Sequence, residues 1–287
     1  MNKGYLLVIS AAILWGTTGT SQGLAPEGLS SSVIGALRVL IGGLILFAYA
    51  LLKGELTKKR KWNKKVVFLG ITMVACYQLS FFYGVKSAGV AVGTMVGIGS
   101  SPIFAGILAK IFYSENITKV WLTSTIMGII GLIFIAYEAV NIDPNFNILG
   151  IFLCLIAGLS YTLYTLASKE LLKDNSPNAV MGVFFLGGAI LLLPFIIFGN
   201  VKPFFNINGV LVILHLGVFA TAVSYFLFAK GLKLIKVSEA STLSLAEPLT
   251  ATFLGITLLK ETPSSYSISG MILIFLGLSC LVFVKKN

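Results

Sequence analysis

Ten long, continuous apolar runs constrain the fold of this chain more than any other feature of its sequence. They lie at 5–21, 33–52, 66–85, 90–113, 120–138, 149–167, 179–198, 209–230, 237–259 and 266–284. A helix needs about 20 apolar residues to cross a bilayer, and lipid offers no partner for unpaired backbone groups, so each run must be helical. A transmembrane β-barrel would instead show short segments of alternating polarity. The runs therefore predict an all-α membrane protein with ten transmembrane helices.

The composition excludes most other protein classes. Of 287 residues, 57% are hydrophobic and 11% are charged, whereas a soluble domain is about a quarter charged. The chain therefore has too few charges to cover a water-facing surface. Its three cysteines, Cys76, Cys154 and Cys280, lie inside apolar runs without paired spacing, which predicts neither a disulfide nor a metal site. No cleavable signal peptide is evident, so the first run is interpreted as a retained helix.

The positions of the basic residues predict the orientation. If the N-terminus is cytoplasmic, nearly all of the 21 lysines and arginines lie on the cytoplasmic side. They include a cluster after the second run and a pair at the C-terminus: Lys53, Lys58, Lys59, Arg60, Lys61, Lys64, Lys65, Lys285 and Lys286. Only Lys86, Lys202 and Lys260 lie in loops on the other side. Because cytoplasmic loops carry excess basic residues, we predict a multi-pass protein of the cytoplasmic (inner) membrane with both termini cytoplasmic. Topology thus explains the net charge of +11 without nucleic acid.

The two halves of the chain match each other at a constant offset. Gly4 pairs with Gly150, Pro102 pairs with Pro248, and Glu115 pairs with Glu261, among others. We therefore predict two repeats of five helices, at 1–144 and 145–287. Five is odd, so the second repeat enters the membrane from the opposite side. Inverted repeats are typical of secondary transporters, although a duplication could also serve only to build a scaffold.

Four segments carry a resemblance to a known family. They are Trp15-Gly16-Thr17-Thr18-Gly19, Ala36-Leu37-Arg38, the segment from Phe82 through Ser101-Pro102 to Glu115, and its counterpart from Ala240 through Leu245-Ala246-Glu247-Pro248 to Glu261. Together they resemble the ten-helix EamA type of the drug/metabolite transporter superfamily, over both repeats. The resemblance implies a pathway between the repeats, lined by helices 1, 3, 4, 6, 8 and 9. Members move amino acids, amines, sugars, nucleotide sugars and drugs, many of them outward.

Glu247 is the deepest ionisable residue in the runs, at about 15 Å from the start of the ninth run. Its repeat mate is Ser101, so the two halves differ chemically at this depth. Pro248 follows it and lacks the amide that would bond the Ser244 carbonyl, which predicts a loosened helix with a free carbonyl group. Ionisable residues inside membranes are commonly functional, so Glu247 could bind a cationic substrate group or a coupling proton. Alternatively, it holds the ninth helix against a neighbour.

Arg38 and His215 are two further ionisable residues inside the runs that could be functional. Arg38 lies about five residues, or roughly 7–8 Å, below the outer end of the second run, where the run begins. It could attract an anion or counter Glu247 or Glu138, or it could snorkel to the headgroups or cap neighbouring carbonyls. His215, the only histidine, is a second candidate for proton coupling because histidine titrates near neutral pH. The alternative is a hydrogen-bonded packing residue.

Aromatic and amide side chains recur at the depth expected for a central cavity. The candidates for substrate binding, besides Glu247, are Trp15, Tyr77, Gln78, Tyr161 and Tyr225, and Tyr164 lies at the same depth. Trp15 and Tyr161 are repeat mates, and two aromatic faces could cage an ammonium group; packing inside the bundle is the alternative. Tyr113, Trp121 and Tyr137 lie near the ends of runs and are interpreted as interfacial belt residues.

Small residues and prolines are predicted to act in structure or gating, together with Arg38. Gly93 and Gly97 permit close helix approach, which we assign to packing of the fourth helix on the ninth or on a moving neighbour, with dimerisation as an alternative. Pro102 and Pro248 are predicted to interrupt the fourth and ninth helices in the same way.

The sequence thus predicts a secondary transporter that moves a small organic metabolite, such as an amino acid or amine, by alternating access and preferentially outward. It contains no recognisable catalytic set, metal cluster, cofactor motif or ATPase motif. The predicted partners are the small-molecule substrate, the lipid bilayer and protons, and the chain is predicted to be a monomer or homodimer. A channel-like pore and a membrane-embedded enzyme are the alternatives.

Overall fold

The structure is a computed structural model, and it describes residues 2–56, 61–142, 147–260 and 262–284. All elements within these ranges are helices. Several residues used above lie outside the described ranges, namely Lys58, Lys59, Arg60, Glu261, Lys285 and Lys286, and so does the predicted repeat boundary between 144 and 145.

The described residues form ten helical crossings, as the apolar runs predict. They are α1 (Lys3–Gly23), α2 (Ser31–Leu52), α3 (Lys64–Ala88), α4 (Val90–Tyr113), α5 (Lys119–Ile142), α6 (Ile148–Leu171), α7 (Pro177–Ile197), α8 (Ile207–Leu232), α9 in two pieces, α9a (Val237–Leu243) and α9b (Ala246–Leu258), and α10 (Ser265–Phe283). By length and composition alone, 8 of them are apolar enough to span a membrane. The other two are α1, which ends in a polar segment, and the divided α9.

Polar residues at the amino ends of the helices explain where many crossings begin. The side chains of Asn2, Ser30, Asn63, Asn147 and Ser176 each accept a hydrogen bond from a backbone amide in the first turn of the following helix. Such a cap satisfies an amide that has no partner within the helix and stabilises it by about 1 kcal/mol. These caps mark both faces of the bundle, since α2 and α6 begin at the opposite face from α1 and α7.

The two five-helix repeats are inverted and pack against each other symmetrically. The mates α2 and α7 pair, as do α5 and α10, while α1 crosses α8 and α9b just as α6 crosses α3 and α4. In the α5–α10 pair, a Cβ atom on Gly131 would lie 2.6 Å from the Gly270 carbonyl oxygen, and one on Gly277 would lie 2.8 Å from the Ser124 carbonyl oxygen. Gly131 and Gly277 are repeat mates, as are Ser124 and Gly270. The contact of Gly131 with Gly270 is therefore related by the repeat symmetry to the contact of Gly277 with Ser124.

The fourth and ninth helices differ, contrary to the prediction that proline interrupts both. Helix α4 continues through Pro102 from Val90 to Tyr113. Helix α9 instead breaks after Leu243, before Pro248 is reached. The Ser244 carbonyl accepts a hydrogen bond from the Glu247 amide at 2.9 Å, so the prediction of a free carbonyl there was wrong. Pro248 has no amide to donate to the Ser244 carbonyl, and a tighter turn supplies the Glu247 amide as its partner instead.

Candidate functional site

A large cavity extends into the bundle from one side. We call the face at which α1 begins the N face, and the face at which α1 ends the opposite face. The cavity, of about 820 Å³, is lined by the last turns of α1, the start of α2, the end of α3, the start of α4 and the first turns of α9b. It therefore reaches from the opposite face to Trp15, Ile98 and Glu247 in the middle of the bundle.

A second, smaller pocket lies on the other side of Glu247. Its volume is about 20 Å³, and its walls are Tyr77, Gly97, Ile98, Ser101, Tyr161, Ser241, Ser244 and Glu247. Because Ser101 and Ser241 lie closer to the N face than Ile98 and Glu247, this inner pocket lies deeper than the cavity. Glu247 and Ile98 belong to both, so the carboxyl group stands at the boundary between them.

Glu247 lies in the first turn of α9b, directly after the break that positions it. Within the described part of the chain it accepts no hydrogen bond, and the one ion pair there joins Lys173 to Glu170. Arg38 is near enough to interact with Glu247 electrostatically but does not pair with it. Glu247 is half-buried where it lines the cavity, and a carboxylate without a partner at this depth is available to a cation or a proton.

Other polar groups around Glu247 also lack partners. The buried atoms Trp15 Nε1, Thr18 Oγ1 and Ser241 Oγ have no hydrogen-bond partner. Trp15 and Thr18 line the cavity, and Ser241 lines the inner pocket. Buried polar groups are nearly always hydrogen-bonded in native structures. Unpaired atoms along the same passage are therefore available to hydrogen-bond a water molecule or a ligand that enters it.

The aromatic candidates form one packed cluster around the inner pocket. The rings of Trp15 and Tyr225 are 4.8 Å apart, those of Tyr161 and Tyr164 are 5.2 Å apart, and those of Tyr77 and Tyr161 are 6.1 Å apart. Trp15 and Tyr161 meet edge to face at 6.4 Å, so they do not enclose an open cage in this conformation. Trp15 reaches the cavity, Tyr77 and Tyr161 reach the inner pocket, and Tyr225 is buried behind them.

Arg38 is a buried residue and does not reach the headgroups. Its side chain is 8% exposed, and Nη2 donates to Gln78 Oε1 at 3.2 Å. Gln78 Nε2 in turn donates to the Gly35 carbonyl at 3.5 Å. The snorkelling interpretation of Arg38 is therefore wrong. Neither Arg38 nor Gln78 lines the cavity or the inner pocket, and the Glu138 side chain lies outside the described part of the structure.

The glycines of α4 pack on different helices from those expected. A Cβ atom on Gly93 would lie 2.7 Å from Val85 Cα of α3 and 3.2 Å from Cys154 Sγ of α6. One on Gly97 would lie 3.3 Å from the Phe81 ring of α3. The assignment of these glycines to packing against α9, or to a dimer interface, is thus replaced by close packing within the bundle.

The passage from Glu247 to the N face is closed by α9a. All residues of α9a, Val237–Leu243, are buried. Glu115, just beyond the end of α4, accepts hydrogen bonds from the Val237 amide at 2.8 Å, the Ser238 amide at 3.2 Å and Ser238 Oγ at 2.6 Å. Trp121 Nε1 of α5 donates to the Ser238 carbonyl at 3.0 Å. We call Glu115 and Trp121 the α9a clamp, because together they hold its first turn.

Sequence reasoning missed this clamp and misinterpreted two of the aromatic residues near it. Trp121 was predicted to lie in the interfacial belt, but it is 6% exposed and bonded to the second repeat. Tyr113 OH donates to the Leu166 carbonyl at 3.0 Å, so it also joins the repeats. Tyr137 is 45% exposed, as a belt residue would be. The sequence does single out Glu115, because the spacing of Pro102 and Glu115 recurs in Pro248 and Glu261. This spacing does not show which residues Glu115 contacts.

Comparisons with known proteins agree with this architecture. The EamA-like transporter family matches the chain twice, at residues 2–137 and 148–283. The uncharacterized transporter YwfM of Bacillus subtilis (strain 168) is 40% identical over 95% of this chain and 91% of its own length. The uncharacterized inner membrane transporter YicL of Salmonella typhimurium is 26% identical over 90% of this chain and 87% of its own. A solved crystal structure matches with a TM-score of 0.83 at 21% identity, covering 96% of this chain and 95% of that one, and it supports the fold alone.

Proposed function

The chain belongs to the EamA-like transporter family, and we propose that it is a secondary transporter that carries a small organic metabolite across the cytoplasmic membrane by alternating access. It is a multi-pass membrane transporter, and the family is one of transporters and not of enzymes. The alternative of a membrane-embedded enzyme is therefore set aside. We assign the two repeats to 1–144 and 145–287, which contain the two family matches.

The observation that carries the proposal is the one-sided access to Glu247. The cavity reaches this carboxyl group from the opposite face, while the buried helix α9a closes the way to the N face. Alternating access requires such a state, in which a central site between two inverted repeats opens to one side at a time. If the two repeats exchanged conformations, the pathway would open at the N face and the cavity would close.

We propose that the N face is cytoplasmic, so that the cavity opens outward. On the N face, Lys53, Lys61 and Lys173 lie in described loops and Lys64 and Lys65 lie in the first turn of α3, in keeping with the positive-inside rule. The description of YicL as an inner membrane transporter supports the cytoplasmic membrane as the location. Both termini are then cytoplasmic, and the state described here is the one that releases an exported substrate.

We propose an amino acid or amine as the substrate and export as its direction. The Glu247 carboxylate is the acidic partner for an ammonium group, and the Trp15 ring beside it can add a cation–π contact. Trp15 Nε1 and Thr18 Oγ1 supply unpaired polar atoms in the same cavity. An anionic substrate is less favoured because Arg38 does not line the cavity, and the basic residue that does, Lys86, lies in the last turn of α3, away from Glu247 and near the opposite face.

We propose that protons are the coupling ion and that Glu247 carries them. A carboxyl group that binds a proton in one state and the substrate ammonium group in another couples the flux of protons to the flux of substrate. The alternative is facilitated diffusion of the substrate without a coupling ion. We further propose that the chain acts as a monomer, because the Gly93 and Gly97 face is used inside the bundle.

Binding and counterflow together test the proposed function. In detergent, a ligand that binds the folded state raises its apparent stability, by about 2.7 kcal/mol at a hundredfold excess over Kd. We expect such a shift for at least one amine or amino acid in a panel that also contains carboxylates and nucleotide sugars. Proteoliposomes loaded with that ligand should then accumulate labelled ligand transiently. Saturating flux without counterflow would support a channel instead, and absence of flux under every gradient would refute transport.

Substitution of His215 is expected to have little effect on transport. His215 Nε2 lies 2.9 Å from Thr17 Oγ1, its ring packs on Phe219, and it lines neither the cavity nor the inner pocket. The geometry favours a hydrogen-bonded packing role over a proton relay. We expect His215→Gln to keep the initial flux rate within about twofold of wild type, with the same pH dependence. If this substitution shifted the pH dependence of flux, the result would support a proton-relay role for His215.

A further inference from the structure

The inner pocket below Glu247 has the size of a site for a single small ion or water. A cavity needs roughly 10–15 Å³ of accessible volume to hold one water molecule, and this pocket has about 20 Å³. One of its walls is Ser241, which is 2% exposed and whose hydroxyl has no partner. Because buried polar groups are nearly always hydrogen-bonded, this hydroxyl is available to an occupant of the pocket.

The hydroxyl groups of the pocket are arranged to receive positive charge. Ser101 Oγ donates to the Gly97 carbonyl at 3.0 Å, and Ser244 Oγ donates to the Ala240 carbonyl at 3.0 Å. Since Ser244 uses its hydrogen in this way, Tyr161 must be the donor in the 2.9 Å bond between these two hydroxyls. The hydrogens of both serines are therefore committed to backbone carbonyls. What Ser101 offers the pocket is its oxygen lone pairs.

The charges around the pocket point to a monovalent cation. Glu247 supplies a carboxylate with no hydrogen bond in the described part of the chain, and it stands at the break between α9a and α9b. Within the described ranges, no group of three or more His, Cys, Asp or Glu side chains could hold a multivalent metal. Broken helices of membrane transporters commonly coordinate Na⁺ with such unwound ends.

We propose that the inner pocket binds one Na⁺ ion, with the Glu247 carboxylate and the hydroxyl oxygens of Ser101, Ser241 and Ser244 as its ligands. This inference extends the proposed function, because Glu247 is also the proposed partner of the substrate ammonium group. Na⁺ and a proton are alternative occupants of the carboxylate. Na⁺ affinity should therefore fall as the pH is lowered and Glu247 becomes protonated.

Thermal unfolding of the detergent-purified full chain tests this site without any need for a substrate. NaCl, KCl and choline chloride are compared at one ionic strength. We expect Na⁺ to raise Tm in a saturable way and the other two salts to leave it unchanged. Ser241→Ala should raise the half-saturating Na⁺ concentration at least tenfold, and Ser101→Ala should raise it in the same direction. Ser124→Ala is the matched control, since Ser124 is also buried and unpartnered but does not line the pocket; we expect a change of less than twofold.

Two results would overturn the proposal. Equal Tm values in the three salts would show that the pocket does not bind Na⁺. A loss of the Na⁺ effect in Ser124→Ala as large as that in Ser241→Ala would place the effect outside the pocket. Both are binding results, so they leave the transport proposal standing. Conversely, intact Na⁺ binding without flux of any candidate would count against transport alone.

Discussion

Replacing Glu247 with glutamine is expected to lower the initial rate of substrate flux into proteoliposomes at least tenfold. Glutamine keeps the shape of the side chain at the boundary between the cavity and the inner pocket but removes its charge. A hydrogen bond to a charged group contributes about 1.5–3 kcal/mol, and each 1.4 kcal/mol corresponds to about tenfold in an equilibrium constant. The thermal shift caused by an amine ligand should fall accordingly.

Glu27→Gln is the matched control for this substitution. Glu27 lies exposed in the loop between α1 and α2, at the face where the cavity begins. The same chemical change there should leave the flux rate within about twofold of wild type. If Glu247→Gln also left the rate unchanged, Glu247 would be a structural residue and the substrate would be held elsewhere.

The pH dependence of flux separates the two roles proposed for Glu247. If Glu247 carries the coupling proton, the glutamine variant should lose the pH dependence of wild type as well as its rate. If the variant is slow but keeps the full pH dependence, Glu247 binds the substrate ammonium group and does not carry the coupling proton. The measurement is the initial rate across a pH series in matched vesicles.

Removing Glu115 is expected to open the N-face side of the pathway. This half-buried carboxylate accepts three hydrogen bonds from the first turn of α9a, at 2.8, 3.2 and 2.6 Å. Glu115→Ala should destabilise the closed arrangement by about 2 kcal/mol, since bonds to charged groups are strong but part of their energy is recovered from water. The population with an open N face should then rise about thirtyfold.

Cysteine labelling measures this opening directly. Ser241→Cys places a reactive group of similar size on buried α9a, in a background in which Cys76, Cys154 and Cys280 are replaced by alanine. We expect a membrane-impermeant maleimide added at the N face to label Cys at this position much faster when Glu115 is alanine. Trp121→Phe, which removes the other half of the α9a clamp, should act in the same direction.

Asp174→Asn provides the control for a change of charge on the same face. Asp174 is exposed in the loop between α6 and α7 and does not contact α9a through any described hydrogen bond. Its replacement should leave the labelling rate unchanged. Equal labelling rates in wild type and Glu115→Ala would show that the α9a clamp is not what keeps the N face closed.

The sequence by itself determined the features that depend on local signals repeated along the chain. Hydropathy identifies the crossings because each spanning helix needs its own apolar length and must form its backbone hydrogen bonds internally. The odd number of helices per repeat determines the inversion, and the position of Glu247 in an apolar run is sufficient to mark it as a candidate site. None of these conclusions requires knowledge of which helices touch.

Only the tertiary structure decided how the polar residues are partnered. The bond between Arg38 and Gln78, the hold of Glu115 and Trp121 on Ser238, and the packing of Gly93 on Val85 all join separate helices. Inside a bilayer, apolarity does not distinguish a lipid-facing side from a buried one, because lipid tails are as apolar as leucine. Helix pairing therefore depends on close packing and inter-helix hydrogen bonds, and these have no fixed spacing along the chain.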